Sequence, residues 1–498
     1  MTAGASSGNL ADRFVATVEA VGDRDAIVVA GPEPTRLTYA ALRARVERLA
    51  SVLHGRGVRR GDRVGVHLAN GNEHVEVLLA SFLLGAAPVN LSHRDTADDV
   101  RAVLEDSGAR TVIHEPDVAS DAPVTLARGA AYEAALRAAP PMPSGPPRSG
   151  ADEYVLYTSG STGRPRGVRW RHEDLYDGAL HSLPHASRSL IASPFAHGTG
   201  QWMVLRTLLH GGTVVCRRDR VFDPEAMLDT VDDERVSFLT VVGDAFAVPI
   251  VALLDACPGR WTLSSLTTIL SGGAVLSADV KRALLDHLPT TLVVDGFGAS
   301  ETGGHGRMVS VPGVVPDGPP RFVVDDLTEV LDDDGRPLPA GSDRVGWLAR
   351  RGSIPLGTVD GHDADTFRVV DGVRWALTGD RAVRQSDGTV VVLGRGASTI
   401  TTGGHKVQAE EIEACVRSHP AIADVVVVGL PDERFGQRVV AVVAARHDAT
   451  PTLDSVRRHC RRRLAAHKLP RDLVVVDRVR RSAAGKPDYG WAREVASS

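Results

Sequence analysis

The segment Tyr154–Trp170, YVLYTSGSTGRPRGVRW, holds a dense group of residues that could bind an anion. After an apolar run, residues 158–163 are all hydroxyl-bearing or glycine, and three arginines follow. Glycine lets backbone N–H groups approach a ligand, hydroxyls donate hydrogen bonds with little bulk, and arginines neutralise negative charge. These properties suit a polyphosphate. A flexible surface loop is the alternative, and a Walker-type P-loop is excluded because Gly163 is followed by Arg-Pro-Arg.

Two further glycine-rich turns each follow an apolar run. LTTIL at 266–270 leads into SGGA at 271–274, and TLVV at 291–294 leads into DGFGASETG at 295–303. In open parallel sheets, ligands bind at the carboxyl ends of strands, where such turns gather. Three glycine turns after three strands therefore predict a ligand site more strongly than one turn would.

Alternating helix and strand patterns must position these turns. Residues 10–140 alternate amphipathic helices such as 37–57 with apolar strands such as 62–68, and residues 223–294 repeat the alternation. This pattern predicts parallel sheets covered by helices. From about residue 320 the chain changes to short β-branched segments between Asp/Gly turns, which predicts a β subdomain.

The last hundred or so residues have a different pattern, which predicts a small α+β domain on a hinge. We expect an N-terminal domain at residues 1–394 and a C-terminal domain at residues 395–498. Within the latter, a helix, two strands and a basic helix are predicted at 409–417, 424–428, 439–445 and 453–466.

Composition is that of a globular chain with more than one domain. The chain has 498 residues, a hydrophobic fraction of 43% and a net charge of −5, which gives no reason to expect nucleic acid. No apolar run could span a bilayer, and the first residues lack a basic and then apolar signal. Four scattered cysteines fit a reducing compartment, so we expect a cytoplasmic protein without a membrane span.

Six motifs, in order, resemble those of the adenylate-forming superfamily, which includes acyl-CoA synthetases, adenylation domains of nonribosomal peptide synthetases and firefly luciferase. They are YTSGSTGRPRGV, SGGA, DGFGASETG, LTGD, GRGASTITTGGHKVQAEEIE and AAGKPDY, within a resemblance that runs from near residue 10 to residue 490. Residues 242–246 and the ending GKPDYGWAREV are most similar to actinobacterial acyl-CoA synthetases of lipid, sterol or specialised metabolism. The implied fold is α/β: a large N-terminal domain of parallel-rich sheets layered with helices, plus a β subdomain and a small mobile α+β lid domain.

The resemblance implies a two-step reaction. A carboxylic acid attacks the α-phosphate of Mg²⁺-bound ATP and gives acyl-AMP and pyrophosphate, and the thiol of CoA then attacks acyl-AMP and releases AMP. The small domain rotates between the steps, and its closure keeps water from a hydrolysable anhydride. The oligomeric state stays open between a monomer and a homodimer.

The resemblance also assigns residues to the phosphates and the metal ion. Arg166 stands where relatives usually carry Lys, and it keeps the charge. Glu301 is expected to bind Mg²⁺ together with Thr162, although a helix-start glutamate is the alternative. Ser300 replaces a common Thr and keeps its hydroxyl. The full phosphate loop comprises Thr158, Ser159, Gly160, Ser161, Thr162, Gly163 and Arg166.

Other residues are expected to hold the nucleoside. Phe297 would stack on adenine where Tyr is usual, or it is a core aromatic. Asp380 would accept the ribose hydroxyls, or it is a turn aspartate. Lys486 would bond the carboxylate and the α-phosphate, or it is a solvated surface lysine. The remaining nucleotide-binding residues are Gly272, Gly273, Ala274, Asp295, Gly296, Gly298, Ala299, Ser300, Val392 and Arg395.

The acyl pocket is expected beside His197, in PFAHGTG. His197 would gate the pocket mouth, and a packed structural histidine is the alternative. Residues 195–210 contain no acidic side chain to hold a substrate ammonium, which favours a plain carboxylic acid over an α-amino acid. The other expected pocket residues are Val242, Gly243, Phe246, Ser271 and Gly298.

Two departures from the family pattern concern the thiol step. Ala397 stands where most relatives have Asp or Lys at the hinge, and Thr401 where Lys is common. Three alternatives to a complete CoA ligase therefore stay open: transfer by a partner ligase, transfer to a carrier-protein thiol, and a degenerate relative that only binds nucleotide. Glu301, Asp380 and Lys486 argue against the last. The basic run 457–463 would guide the CoA phosphates or form a solvated helix face.

Overall fold

A computed structural model divides the chain into two compact units. The first comprises residues 1–315 and 350–376, and the second comprises residues 316–349 and 377–498. The structure describes residues 8–92, 95, 97–118, 120, 122–142, 145–159, 165–180, 187–316, 320–395, 399–402, 405–432, 436–464, 466–481 and 487–498, without the side chains of residues 159, 395, 399, 401, 405, 406, 408 and 436. The domain boundary at 394/395 stays a prediction.

Helices of the first unit follow the patterns of the sequence. Asp223 accepts a hydrogen bond from the backbone N–H of Ala226 and caps the helix that Pro224 begins, as predicted. The helices are α1 (Leu10–Val21), α2 (Tyr39–Gly55), α3 (Asn72–Leu84), α4 (Ala97–Ser107), α5 (Ala130–Ala138), α6 (His172–Leu175), α7 (Gly198–Leu209), α8 (Pro224–Asp233), α9 (Gly243–Ala256) and α10 (Ala278–His287), with a π-helical turn at Tyr176–Leu180.

Parallel strands dominate the main sheet of the first unit. Its order is β14, β13, β12, β11, β9, β10, β1, β2, and only the outer pairs, β13–β14 and β1–β2, are antiparallel. Consequently β9, β11, β12 and β13 end at the same edge. These strands are β1 (Asp25–Ala30), β2 (Thr35–Thr38), β9 (Arg188–Ile191), β10 (Thr213–Arg217), β11 (Phe238–Val241), β12 (Thr268–Gly272), β13 (Leu292–Ala299) and β14 (Gly303–Ser310).

Two smaller sheets complete the first unit. One is parallel throughout, with the order β4, β3, β5, β6, and the other is antiparallel, with the order β18, β8, β7. A short strand, β19, pairs with the start of β20. Their bounds are β3 (Arg63–His67), β4 (Ala87–Asn90), β5 (Thr111–His114), β6 (Val124–Ala127), β7 (Glu153–Ser159), β8 (Pro165–Arg171), β18 (Gly357–Thr358), β19 (Phe367–Val370) and β20 (Val373–Arg384).

The second unit holds the predicted β strands and α+β elements. One sheet has the order β16, β17, β20, β21, β15, and another has the order β23, β22, β25, β24, with β26 on β25. These elements are β15 (Arg321–Val324), β16 (Thr328–Leu331), β17 (Gly346–Arg350), β21 (Val390–Arg395), β22 (Thr399–Thr402), β23 (His405–Gln408), α11 (Ala409–Arg417), β24 (Ile422–Asp432), β25 (Gly436–Ala445), α12 (Leu453–Cys460), a 3-10 turn (Ala466–Lys468), β26 (Asp472–Val476) and α13 (Tyr489–Ser497).

The α/β fold class predicted from the sequence is confirmed, and two local predictions are wrong. Residues 295–299 belong to strand β13 rather than to a turn, because they pair with β14. The basic helix ends at Cys460 rather than at residue 466. None of the helices in the described part of the chain has the length and apolar character needed to cross a membrane.

Candidate active site

The turns that follow β11 and β12 are tied together by short polar contacts. Ser271 Oγ accepts a hydrogen bond from the Gly243 N–H at 3.2 Å, and Asp244 Oδ1 accepts one from the Ser277 N–H at 2.8 Å. Gly243 has φ +56°, and a Cβ there would collide with the carbonyl oxygen of Val275. The expected pocket residues Gly243 and Ser271 are thus in direct contact, and only glycine fits at position 243.

The first turn of α7 lies against the glycine turn after β12. A Cβ added at Gly272 would lie 3.5 Å from Thr199 Cγ2, and one at Gly273 would lie 3.6 Å from Thr199 Oγ1. His197 is the N-cap residue of this helix, immediately before Gly198. The structure therefore brings the predicted nucleotide turn and the predicted pocket mouth together, and it adds Thr199, which the sequence did not single out.

The turn between β13 and β14 lies beside the same helix start. Trp170 Nε1 donates to the Ser300 carbonyl at 3.0 Å, and a Cβ at Gly198 would lie 3.4 Å from Ser300 Oγ. A Cβ at Gly298, near the end of β13, would lie 2.5 Å from the Gly303 carbonyl oxygen, so this position also requires glycine. Glu301, the expected magnesium ligand, is half-buried in the turn. Three strand ends and one helix start thus form a single site.

The Asp295 carboxylate forms an ion pair that the sequence analysis did not predict. Its Oδ2 lies 2.6 Å from Nζ of Lys281 on α10, and both side chains are buried. Burial raises the pKa of the Asp295 carboxyl, and Lys281 opposes that shift. The sequence did contain a signal for this partner: Lys281 lies three positions before Leu284, at the spacing of the buried face of α10. We infer that Asp295 borders the site through its place on β13, while its carboxylate binds Lys281.

Phe297, the expected adenine-stacking residue, is half-buried. Its ring centroid lies 5.6 Å from that of the buried His305, with the ring planes 34° apart. Phe246, an expected acyl-pocket residue, packs against Phe222 with centroids 4.4 Å apart. Val242, which precedes α9, is buried. These contacts hold the aromatic side chains in place beside the site.

The phosphate-loop strand pair forms as an antiparallel hairpin, with Thr158 opposite Arg166. The Arg166 guanidinium binds the segment that follows β18: Nη1 donates to Thr366 Oγ1 at 3.2 Å, and Nη2 donates to the His362 carbonyl. Arg169, by contrast, forms an ion pair with Glu153. The part of the loop at Gly160, Ser161, Thr162 and Gly163 lies outside the described residues.

The buried Asn90 joins the phosphate-loop strand to the His197 segment, and the half-buried Asn70 binds the same segment. Asn90, at the end of β4, donates through Nδ2 to the Tyr157 carbonyl at 3.0 Å and to the Ala196 carbonyl at 2.5 Å. Its Oδ1 accepts from the Tyr157 N–H at 2.7 Å. Asn70 Oδ1 accepts from the Phe195 N–H at 2.8 Å. Sequence reasoning missed both, although Asn90 is a polar residue at a strand end, as the predicted site residues are.

In the second unit, the strand register places Asp380 opposite Arg395, the two residues expected at the ribose. The Asp380 N–H donates to Thr378 Oγ1 at 3.0 Å, and Gly379 has φ +80°, so the backbone of β20 is irregular next to Asp380. Val392 is half-buried on the neighbouring strand β21. The hinge residue Ala397 and the lysine Lys486 lie outside the described residues.

Comparison with known proteins agrees with this geometry. The AMP-binding enzyme family matches residues 14–354, and the AMP-binding enzyme C-terminal domain matches residues 411–486. The chain is 36% identical to a 3-oxocholest-4-en-26-oate–CoA ligase from Rhodococcus rhodochrous, across 98% of this chain and 95% of the relative.

It is also 36% identical to a medium/long-chain-fatty-acid–CoA/3-oxocholest-4-en-26-oate–CoA ligase from Mycolicibacterium smegmatis, across 98% of this chain and 96% of the relative. The fold is similar to that of ATP-bound MatB from Rhodopseudomonas palustris, with a TM-score of 0.83, 25% identity and 99% of each chain covered. The chain therefore belongs to the family of AMP-binding enzymes, the adenylate-forming enzymes that include the actinobacterial acyl-CoA ligases.

Proposed function

We propose that this protein is an acyl-CoA synthetase that activates a carboxylic acid with ATP and transfers the acyl group to CoA. The observation that carries the proposal is the convergence of the turns that follow β11, β12 and β13 with the first turn of α7 at one edge of a parallel sheet. It is supported by 36% identity to CoA ligases over nearly the whole chain.

In the first step, a carboxylate oxygen attacks the α-phosphorus of ATP, the bond to the bridging oxygen breaks, and pyrophosphate leaves. Loop residues 158–163 would hold the β- and γ-phosphates through backbone N–H groups and hydroxyls. Lys486 would stabilise the charge that builds up on the carboxylate and the α-phosphate, a contact worth on the order of 3 kcal/mol in the transition state. Asp380 and Arg395 would hold the ribose.

Arg166 keeps the charge of the usual lysine but is anchored within its own unit to the segment at residues 360–366. We propose that this anchor fixes one strand of the phosphate-loop hairpin. Because the arginine fork has several donors, it can keep one bond to this segment while another faces phosphate.

A magnesium ion fits the residues present, because the half-buried Glu301 and the hydroxyl of Thr162 are hard oxygen donors. Bound there, the ion would neutralise phosphate charge during displacement at phosphorus. Ser300, whose Oγ faces the start of α7, would orient the same turn.

In the second step, the CoA sulfur attacks the acyl carbonyl and AMP leaves. Ala397 and Thr401 depart from the family pattern on the segment expected to serve this step. A second candidate function therefore has a specific observation in its favour: an adenylating enzyme whose acyl-AMP is passed to a partner ligase or to a carrier-protein thiol.

We propose an acyl group that is apolar next to the reacting carboxyl. The relatives above are named for fatty and steroid acids, and the expected pocket residues Val242 and Phe246 are apolar. No acidic side chain occurs at residues 195–210, where amino-acid-activating relatives hold the substrate ammonium.

Product analysis on the isolated full chain tests both steps. The chain is given Mg-ATP, CoA and a panel of aryl, fatty and polycyclic acids, and the products are separated by chromatography. The proposal expects pyrophosphate, AMP and acyl-CoA with at least one acid. Acyl-AMP without acyl-CoA, followed by transfer when a phosphopantetheinylated carrier protein is added, would favour the second candidate instead.

A further inference from the structure

Arg206 is a buried cation for which the described residues supply no counter-ion. It lies on α7 and is 3% exposed. Neither Nη1 nor Nη2 has a hydrogen-bond partner among the residues that the structure describes. Burial lowers the pKa of its guanidinium to about 9. A fully buried arginine without a partner is rare, because leaving its charge and donors unsatisfied is costly.

Nearby side chains add further buried donors. Trp202, one turn earlier on α7, carries a buried indole N–H. Tyr176 lies close enough to influence Arg206 electrostatically, and it carries the Arg13 guanidinium over its ring, 3.6 Å from the centroid. Arg13 Nε is buried and unpartnered within the described residues. An excess of N–H donors in one place calls for a ligand rich in acceptor oxygens.

Helix α7 connects this place to the active site. Its first turn carries Thr199 beside Gly273, and residues seven apart share a helix face. At 1.5 Å per residue, Arg206 lies about 10 Å along that face from Thr199. An acyl group that starts at the glycine turns and follows α7 would therefore reach Arg206 with its far end.

The π-helical turn at Tyr176–Leu180 bounds the same region. It packs against α7, and its Gly178 carbonyl lies so close to Gly303 that a Cβ there would be 2.6 Å away. Tyr176 also stacks on His210, just after α7, with centroids 6.1 Å apart. Isolated π-helical turns are frequent at functional sites. The π-helical turn therefore contacts both the start of β14 and the residues around Arg206.

We propose that Arg206 binds a second carboxylate at the far end of the acyl substrate, so that the preferred acids are α,ω-dicarboxylic acids or acids with an anionic group about 10 Å from the reacting carboxyl. The two free Nη atoms form the planar fork that matches a carboxylate in a bidentate pair. This assignment rests on the proposed function, because it names the acid that the same site activates.

The test compares acids of equal length that differ at the far end: sebacic acid, its monomethyl ester and decanoic acid, with adipic and dodecanedioic acids to map the length. Acid-dependent ATP–pyrophosphate exchange gives KM and kcat for the wild-type chain and for Arg206→Met and Arg206→Lys. Thr207→Val, at the next position of the helix and about 100° around its axis from Arg206, is the matched control.

We expect the wild type to prefer a diacid over its ester and over the alkanoate. Arg206→Met should raise KM for that diacid by roughly tenfold to a hundredfold with little change in kcat, since a charge-assisted hydrogen bond is lost. It should leave the KM for decanoic acid unchanged or lower. Arg206→Lys should retain part of the preference, and Thr207→Val all of it.

Thermal unfolding gives a second readout that needs no turnover. The diacid should raise the Tm of the wild type and not that of Arg206→Met, while the ligand-free Met variant should be at least as stable as the wild type because it lacks an unpaired buried charge. Equal use of sebacic and decanoic acids by the wild type would overturn the assignment and leave the proposed function intact. Absence of exchange with every acid would overturn both.

Discussion

At the scale of single residues, the site depends on polar groups whose partners come from distant parts of the chain. Asp295 was predicted from its motif, yet its Lys281 partner was not, because the pairing of helix α10 with strand β13 depends on tertiary packing. Asn90 and Arg206 were missed for the same reason. Residue type and spacing predicted which turns gather at the site, whereas the choice of partner for each side chain required the fold.

Breaking the Lys281–Asp295 pair should be costly. Lys281→Met leaves a buried carboxylate and Asp295→Leu leaves a buried ammonium, so each should lower stability by about 3–5 kcal/mol. The double variant Lys281→Met/Asp295→Leu should lose much less than the sum, because neither charge remains. Urea unfolding of the four proteins measures the coupling, and additive losses would show that the pair does not interact.

His172 should make stability fall in mild acid. Its Nδ1 accepts a hydrogen bond from the Leu10 N–H, and burial lowers the pKa of the ring from 6.5 to about 4. Between these values only the unfolded chain binds the proton, so stability is lost as pH falls from about 6.5 towards 4. The loss between pH 7 and pH 5 should be roughly 2 kcal/mol for this residue.

The measurement is the apparent urea midpoint at those two pH values. His172→Leu should lose less stability than the wild type on acidification, whereas the exposed His447→Gln should lose the same amount as the wild type. An unchanged pH dependence in His172→Leu would contradict the assignment.

At the scale of elements, the sequence correctly predicted the features that depend on residues close together in the chain. The Asp223-Pro224 start of α8 and the span of α11 at Ala409–Arg417 were predicted correctly, because caps and amphipathic spacing act within a few residues. The extension of β13 through Ala299 was not predicted, since glycine-rich residues 296–298 form a strand only by pairing with β14. Sheet pairing is a non-local property that the sequence pattern does not contain.

The turn after β11 offers a matched pair of substitutions. Gly243 and Gly259 both have positive φ, but only a Cβ at Gly243 would meet neighbouring atoms, at Val275 and Ala274. Both variants carry about 1 kcal/mol of backbone strain. Only Gly243→Ala should also displace the turns after β11 and β12, and it should therefore raise the KM for the acid by tenfold or more. Steady-state exchange kinetics measure the effect. Equal kinetics in Gly243→Ala and Gly259→Ala would show that the turn does not border the acid.

At the scale of the whole molecule, the expected catalytic equipment is divided between the two compact units. Glu301 and the glycine turns belong to the first unit, and Asp380 and Arg395 belong to the second. The sequence analysis grouped Asp380 with Glu301 in the domain at residues 1–394, and that domain division stays a prediction. The resemblance assigns Ala397 and Thr401 to the thiol step, and that role stays a prediction.

Restoring the family residues tests whether these departures limit the thiol step. Ala397→Asp and Thr401→Lys should increase acyl-CoA formation severalfold while leaving ATP–pyrophosphate exchange unchanged, since only the second half-reaction uses that segment. Single-turnover assays started from preformed acyl-AMP isolate the step. A parallel change in both half-reactions would contradict a role confined to thiol transfer.

The central claim is that the site adenylates a carboxylic acid, and acid-dependent ATP–pyrophosphate exchange measures that step directly. With an acid from the aryl, fatty, polycyclic or dicarboxylic sets, we expect exchange that requires both acid and Mg²⁺. It should fall by on the order of a hundredfold or more in Glu301→Gln and stay unchanged in Glu105→Gln, an exposed residue of α4. Exchange that is absent with every acid, in a chain that still binds ATP, would contradict the account.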